Sequence, residues 1–462
     1  MRQGDLPPRD PAKGPPFASA QGRRLALYVA VGLCAAIFAV ALLIPGLGGA
    51  LLNGYIKGKL ESAFATAHPG CVLRIGALEY SFGANRLVSK SVTMNTPDST
   101  FAAGRVALAG VRWTRLFLGR EAPAEVFAKA SLDATSLSMA FTHAHYGITT
   151  TRLRASVPSL ELVAEGTELR PLLRDEALFA ADGFRTTRFH LVVPECRVLG
   201  LAYAAWIRAG EFRAREIQLL RPSLDALADR DKPVRPSGLR PLMVNEALAA
   251  IRPPLQVGLL TINDGFLNYG ERVVAGAAPG VLTFTALNLR AEAISNRGGA
   301  TAAIRLKAQG KLMDAGALKV LMTIPLTGPD VSLRYSGTLS AMDLTRLDAF
   351  LDRAEHIRIK SGRVNEVAFE VEVIAGQAHG RVRASYRDLK MAVLDQETGT
   401  EKGVGNRIAS FLMNTFQLRH SNGPDATGAV KEGKVDYRRK RNDTFIQVVW
   451  FSLRSGLLDL IK

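Results

Sequence analysis

Along residues 366–373, apolar and charged side chains alternate: Val367, Phe369, Val371 and Val373 fall on one side of an extended chain, Glu366, Glu370 and Glu372 on the other. The same period of two recurs in 331–340, where Val331, Leu333, Tyr335 and Leu339 oppose Ser332, Arg334, Ser336 and Thr338. It recurs again in 304–309 (Ile304, Leu306 and Ala308 against Arg305, Lys307 and Gln309) and in 381–387 (Val382, Ala384 and Tyr386 against Arg381, Arg383 and Arg387). Strands with one dry and one wet face belong to antiparallel sheets. Turn-forming residues separate the runs at Asn263-Asp264-Gly265, Asn296-Arg297-Gly298-Gly299, Gly328-Pro329-Asp330 and Gly376. Regular alternation of strands with helices is absent, which argues against a doubly wound sheet. The predicted class is mainly β with a few helices.

Helical periodicity is confined to four segments. Residues 47–67 place Leu52, Tyr55, Ile56 and Leu60 on one face; 341–355, capped by Ser340, do so with Leu344, Leu347 and Leu351. Residues 404–417 align Ile408, Phe411, Leu412 and Phe416. Residues 445–461 have the widest apolar face. Phe445, Val449, Trp450, Leu453 and Leu457 could lie in a membrane interface, or the helix could pack against its own sheet.

Near the N-terminus the pattern disappears. From Leu25 to Ile44 there is no charge, enough for a helix of about 30 Å, the thickness of a bilayer core. Arg23 and Arg24 precede it and Pro45-Gly46 follow. The basic excess of the preceding tail predicts a cytoplasmic N-terminus with the body exported. A signal peptide cleaved near Gly48-Gly49-Ala50 is the competing reading. The predicted organisation is a basic tail (1–22), an anchor (23–46), a first β-rich module (47–227), a Pro-rich linker with one short helix (228–254), a second β-rich module (255–443) and the terminal helix (444–462).

Composition narrows the function. Apolar residues at 47% of 462 provide a sizeable core and exclude a disordered chain. A net charge of +17 attracts polyanions; on an exported body these are lipid or other envelope polyanions rather than nucleic acid, and the alternative is charge dispersed over solvated strand faces. Three cysteines exclude a disulfide-dense scaffold and a four-cysteine zinc site. Cys34 falls in the apolar span, and Cys71 and Cys196 are either a disulfide or two buried thiols. His143 and His145 share a face if extended, but no third metal ligand is near. Gly403-Val404-Gly405 lacks the third glycine of a dinucleotide loop, and the basic run Arg438–Arg441 reads as a solvated turn or a headgroup contact. No hydrolase, zincin or nucleotide-loop motif occurs. The expectation is no enzyme, no metal and no cofactor.

Several segments together carry a family likeness: the anchor and helix leading into residues 71–94, the basic stretch 111–119, then 216–233, 254–272, 282–296, 386–395 and the final 445–461. In these the chain resembles the AsmA-like bacterial envelope proteins. The resemblance implies an inner-membrane anchor, a periplasmic body of elongated, twisted antiparallel sheet modules forming an apolar groove, and no catalytic residues to transfer. It implies phospholipid as cargo, the membrane and other envelope proteins as partners, and a role in outer-membrane biogenesis. The groove residues would be Leu333, Tyr335, Val367, Phe369, Val371, Val373, Val382 and Tyr386. From the residues alone the same stripe serves equally as a packed core, and an anchored structural or interaction protein without lipid is the alternative.

Overall fold

The computed structural model describes residues 57–462 apart from 82, 113–114, 116–122, 234–240, 300, 329, 395–418 and 427. The expected tail, the Leu25–Ile44 anchor with Cys34, the first part of the 47–67 helix and the 404–417 helix lie outside the described residues. Among the described residues no helix is long and apolar enough to cross a membrane. The described residues divide into two compact units, one drawn from 57–161, 202–212 and 250–254, the other from 162–201, 213–249 and 255–462. The strands between residues 162 and 229, on the N-terminal side of the Pro-rich segment 228–254, fall in the second unit.

The first unit carries β1 (Val72–Ile75), β2 (Leu78–Ser81), β3 (Arg86–Ser89), β4 (Val92–Asn95), β5 (Ser99–Ala109), β6 (Ser131–Phe141) and β7 (Tyr146–Ser156). The long β5 pairs with β4 through its first half and with β3 through its second, so one strand runs beside both the β2–β3 hairpin and the β1–β4 pair that closes around it. The pairings β1–β4, β2–β3, β3–β5, β4–β5, β5–β6 and β6–β7 are all antiparallel. Leu73, Ile75, Leu87, Val92 and Leu108 are buried, with Phe64 of the helix Lys57–Ala67 packed among them. Cys71 and Cys196 are free thiols.

The second unit carries β8 (Glu161–Pro171), β9 (Thr187–Leu199), β10 (Phe212–Leu220), β11 (Ser223–Asp229), β12 (Leu255–Arg272), β13 (Gly280–Ser295), β14 (Ala303–Leu312), β15 (Gly316–Pro325), β16 (Leu333–Asp343), β17 (Ile357–Ile374), β18 (Gln377–Val393) and β19 (Glu432–Arg438). From β12 to β19 each strand pairs antiparallel with the next. The purely antiparallel sheet expected from alternation needs one correction: β11 pairs parallel to β12, making the sheet mixed. A parallel pair needs a long crossover, and the proline-bearing residues 230–254 supply it.

One turn signal works differently from expectation. Asn263-Asp264-Gly265 does not end a strand; β12 runs through it, with a register shift between Ile262 and Gly265 and Asp264 at φ 54°. Asp tolerates the left-handed conformation, and a bulge uses it as readily as a turn does. The β14–β15 hairpin turns on Met313 and Asp314, both at positive φ, without any glycine. The helix expected from Ser340 starts later: β16 continues to Asp343, whose carboxylate accepts from Thr345 N (2.9 Å), followed by a 3-10 turn at Leu344–Leu347 and a helix at Asp348–Ala354.

The C-terminal helix (Phe445–Leu460) opens with a reciprocal cap: Thr444 accepts from Gln447 N at 3.3 Å, and the Gln447 side chain accepts from Thr444 N at 2.9 Å. Replacing Thr444 by alanine is expected to lower the stability of this unit by about 1 kcal/mol, read as a shift in urea midpoint at constant slope.

Candidate functional site

Register fixes which side chains share a face. One row runs Leu260, Ala291, Leu306, Met322, Tyr335, Val371 and Gly380 across β12–β18. The adjacent row runs Ile262, Leu289, Ala308, Val320, Gly337, Phe369 and Val382, and a third joins Gly310, Leu318, Leu339, Val367 and Ala384. The face is apolar from one end to the other.

It is covered unevenly. At the β16–β19 end the C-terminal helix lies on it. Val448 of the helix is fully buried with Val371, Val382 and Val435, and Phe445, Val449, Leu453 and Leu457 pack into the same cluster. Tyr335 Oη donates to Val449 O (3.0 Å). Lys434 N donates to Asp459 Oδ2 (2.8 Å) and Asp436 N to Ser455 Oγ (3.1 Å), so helix side chains hold the strand backbone as well. Of the groove candidates, Leu333, Tyr335, Val371, Val373, Val382 and Tyr386 are therefore buried, while Val367 and Phe369 are half-buried. Of the interface candidates, Phe445, Val449, Leu453 and Leu457 face the sheet and Trp450 is half-buried. Ile446 is the exposed large apolar residue of this helix, at 63%.

Toward β12–β15 the same face loses this cover. Ile262, Leu289, Leu306, Leu318, Val320, Met322 and Leu339 are all half-buried, each retaining solvent access. Met243, Val244 and Leu248, at and within the short helix Val244–Ala249, pack at one end with Ile304 and Ile324. Of these half-open positions, the alternation of 304–309 marks Leu306 and that of 331–340 marks Leu339; the groove candidates read from the sequence include neither.

Charged groups inside the unit are paired. Arg439, in the run expected to be a solvated turn, is buried: it pairs with Asp330 and donates to Pro241 O at 3.2 Å. Arg188 bridges Asp175 and Asp225. Burial raises the Glu355 carboxyl above its ordinary range; Arg454, at 3.6 Å, and Arg230 oppose the shift, and Glu271 adds to it. A raised carboxyl pKa means the unfolded chain gives up this proton first. Stability is then full below the unfolded value and falls as pH rises through the folded one. The urea midpoint of the native chain minus that of Glu355→Gln should accordingly fall as pH rises above the ordinary carboxylate range. A difference that stays flat would assign Glu355 no such role.

The two histidines lie in the β6–β7 turn, not along a strand. His143 Nε2 sits 3.0 Å from Asp98 Oδ1 at the surface, and His145 has φ 54°. Among the described residues no cluster of three or more His, Cys, Asp or Glu could hold a metal.

No protein-family model and no curated protein matches this chain.

Proposed function

We propose that the second unit binds phospholipid acyl chains on the uncovered part of its apolar face, and that the chain is a membrane-anchored envelope protein of AsmA-like type, working in the periplasm. The observation that carries this reading is the contrast along one face. Where the helix covers it, side chains are buried to a few per cent. From β12 to β15, the larger aliphatic side chains of the same rows retain solvent access, while the small Ala291 among them is buried. Smooth aliphatic surface without a second layer suits an alkyl chain, which needs contact area and no hydrogen bonds. Uncharged residues 25–44 supply the anchor in this proposal, and the net charge favours anionic headgroups.

The test is a photo-crosslinking residue at Met322, compared with one at Val371. Lipid captured in cells at 322 and only protein at 371 is the expected result. Capture of protein alone at both positions would leave the anchored interaction protein as the better reading. In a companion measurement, Val320→Asp should fold normally and lose copurified phospholipid, since its carboxylate can reach water.

A further inference from the structure

The opposite side of the same strands carries a second feature. A depression of about 340 Å³ at β13–β16 is lined by Arg290, Glu292, Arg305, Lys307, Leu321 and Arg334 of the polar face, with Thr323 and Ser336 between them and Leu306, Met322 and Tyr335 of the apolar rows also touching it. Register places these side chains together: Arg290 is level with Lys307, Lys307 with Leu321 and Leu321 with Ser336, and the next row joins Glu292, Arg305, Thr323 and Arg334. Four cationic side chains therefore surround one carboxylate. Glu292 is shared between Arg290 and Arg305, each at 3.7 Å, too long for strong hydrogen bonds. Arg334 is held by Glu372 at 2.7 Å, and Lys307 has no ion-pair partner among the described residues. At the centre of this charge sits Leu321, 56% exposed. On the β17 side the patch ends where Glu370 pairs with Arg381 and Glu372 with Arg334.

We infer that this depression binds a phosphate ester of amphiphilic character, the headgroup of an anionic phospholipid. The excess of cations selects an anion. Arginine guanidinium groups match phosphate oxygens in geometry. The volume falls in the range of small-ligand sites. An exposed leucine amid cations gives no advantage to inorganic phosphate, whereas the glycerol and first methylenes of a lipid would cover it. Register puts the cationic side chains on the side of the sheet opposite the apolar rows, and the depression also touches Leu306, Met322 and Tyr335 of those rows.

Full-length protein in neutral detergent is titrated with dihexanoyl phosphatidylglycerol below its micelle concentration, with dihexanoyl phosphatidylcholine and with inorganic phosphate. The glycerol lipid should bind best. Arg305→Gln with Lys307→Gln should weaken it roughly 25-fold, about fivefold for each cation removed. Leu321→Ser should weaken it about threefold without touching phosphate binding. The pair Arg383→Gln and Lys434→Gln, on the same sheet side but outside the depression, should leave affinity unchanged. All four side chains are exposed, so folding is expected to survive in each variant. Equal binding of the two lipids, or equal loss in the control pair, overturns the inference by showing no anion site or only diffuse charge. Phosphate binding as tightly as the glycerol lipid, unaffected by Leu321→Ser, overturns the lipid assignment.

Discussion

Replacing Val371 by aspartate is expected to unfold the second unit. Val371 has no solvent exposure and lies level with Tyr335 on β16 and Gly380 on β18. The β18 neighbour leaves no slack: a Cβ built on Gly380, which has φ 156°, would lie 2.1 Å from Glu370 O and 2.8 Å from Val371 Cα. Helix residue Val448 closes the site from above. A carboxylate placed there has neither water nor a cation. It must protonate or force the layers apart, and either costs several kcal/mol. Domain stabilities are about 5–15 kcal/mol, so the change removes much or all of the margin. Val371→Ala, which only leaves a small cavity, should cost about 1–3 kcal/mol and remain folded. Circular dichroism and limited proteolysis of both variants check this. An aspartate variant as stable as the alanine one would mean that position 371 reaches solvent.

The second large effect concerns the seat of the C-terminal helix. Gly433 on β19 faces Gly456 of the helix so closely that a Cβ at 433 would fall 2.0 Å from Gly456 O and 2.9 Å from Leu460 N. Both are backbone atoms, so no side chain can rotate away. Gly433→Val is therefore expected to lift the helix from the sheet. Lifting it exposes Val448, Leu453, Leu457 and Leu460 and breaks the Tyr335–Val449 hydrogen bond. Each large aliphatic side chain returned to water costs about 1.5–3 kcal/mol, so a loss of several kcal/mol and a tendency to aggregate are expected. Hydrogen exchange of the helix amides, measured against those of β14 and β15, reads the effect directly. Native protection in the helix of the valine variant would refute the close-approach argument.

Strand identity was written in the local sequence. The alternation of 366–373 gives β17 its two faces, and the runs at 304–309, 331–340 and 381–387 give those of β14, β16 and β18, because a period of two is a property of the extended backbone itself. The reciprocal cap at Thr444 and the amphipathic residues after it define the last helix in the same local way. Pairing partners were not legible. That β11 runs parallel to β12 depends on where a long connection returns the chain, and that Asn263-Asp264-Gly265 makes a bulge rather than a turn depends on β13 continuing alongside. An alternating strand has a dry side, but the residues carry no sign of what dries it. Only the tertiary structure decides that Val371 and Val382 lie under a helix while Val320 and Met322, in the same rows, keep access to solvent. The physical reason is that burial belongs to the neighbour as much as to the residue, and that neighbour, the helix at 445–460, is more than fifty residues away along the chain.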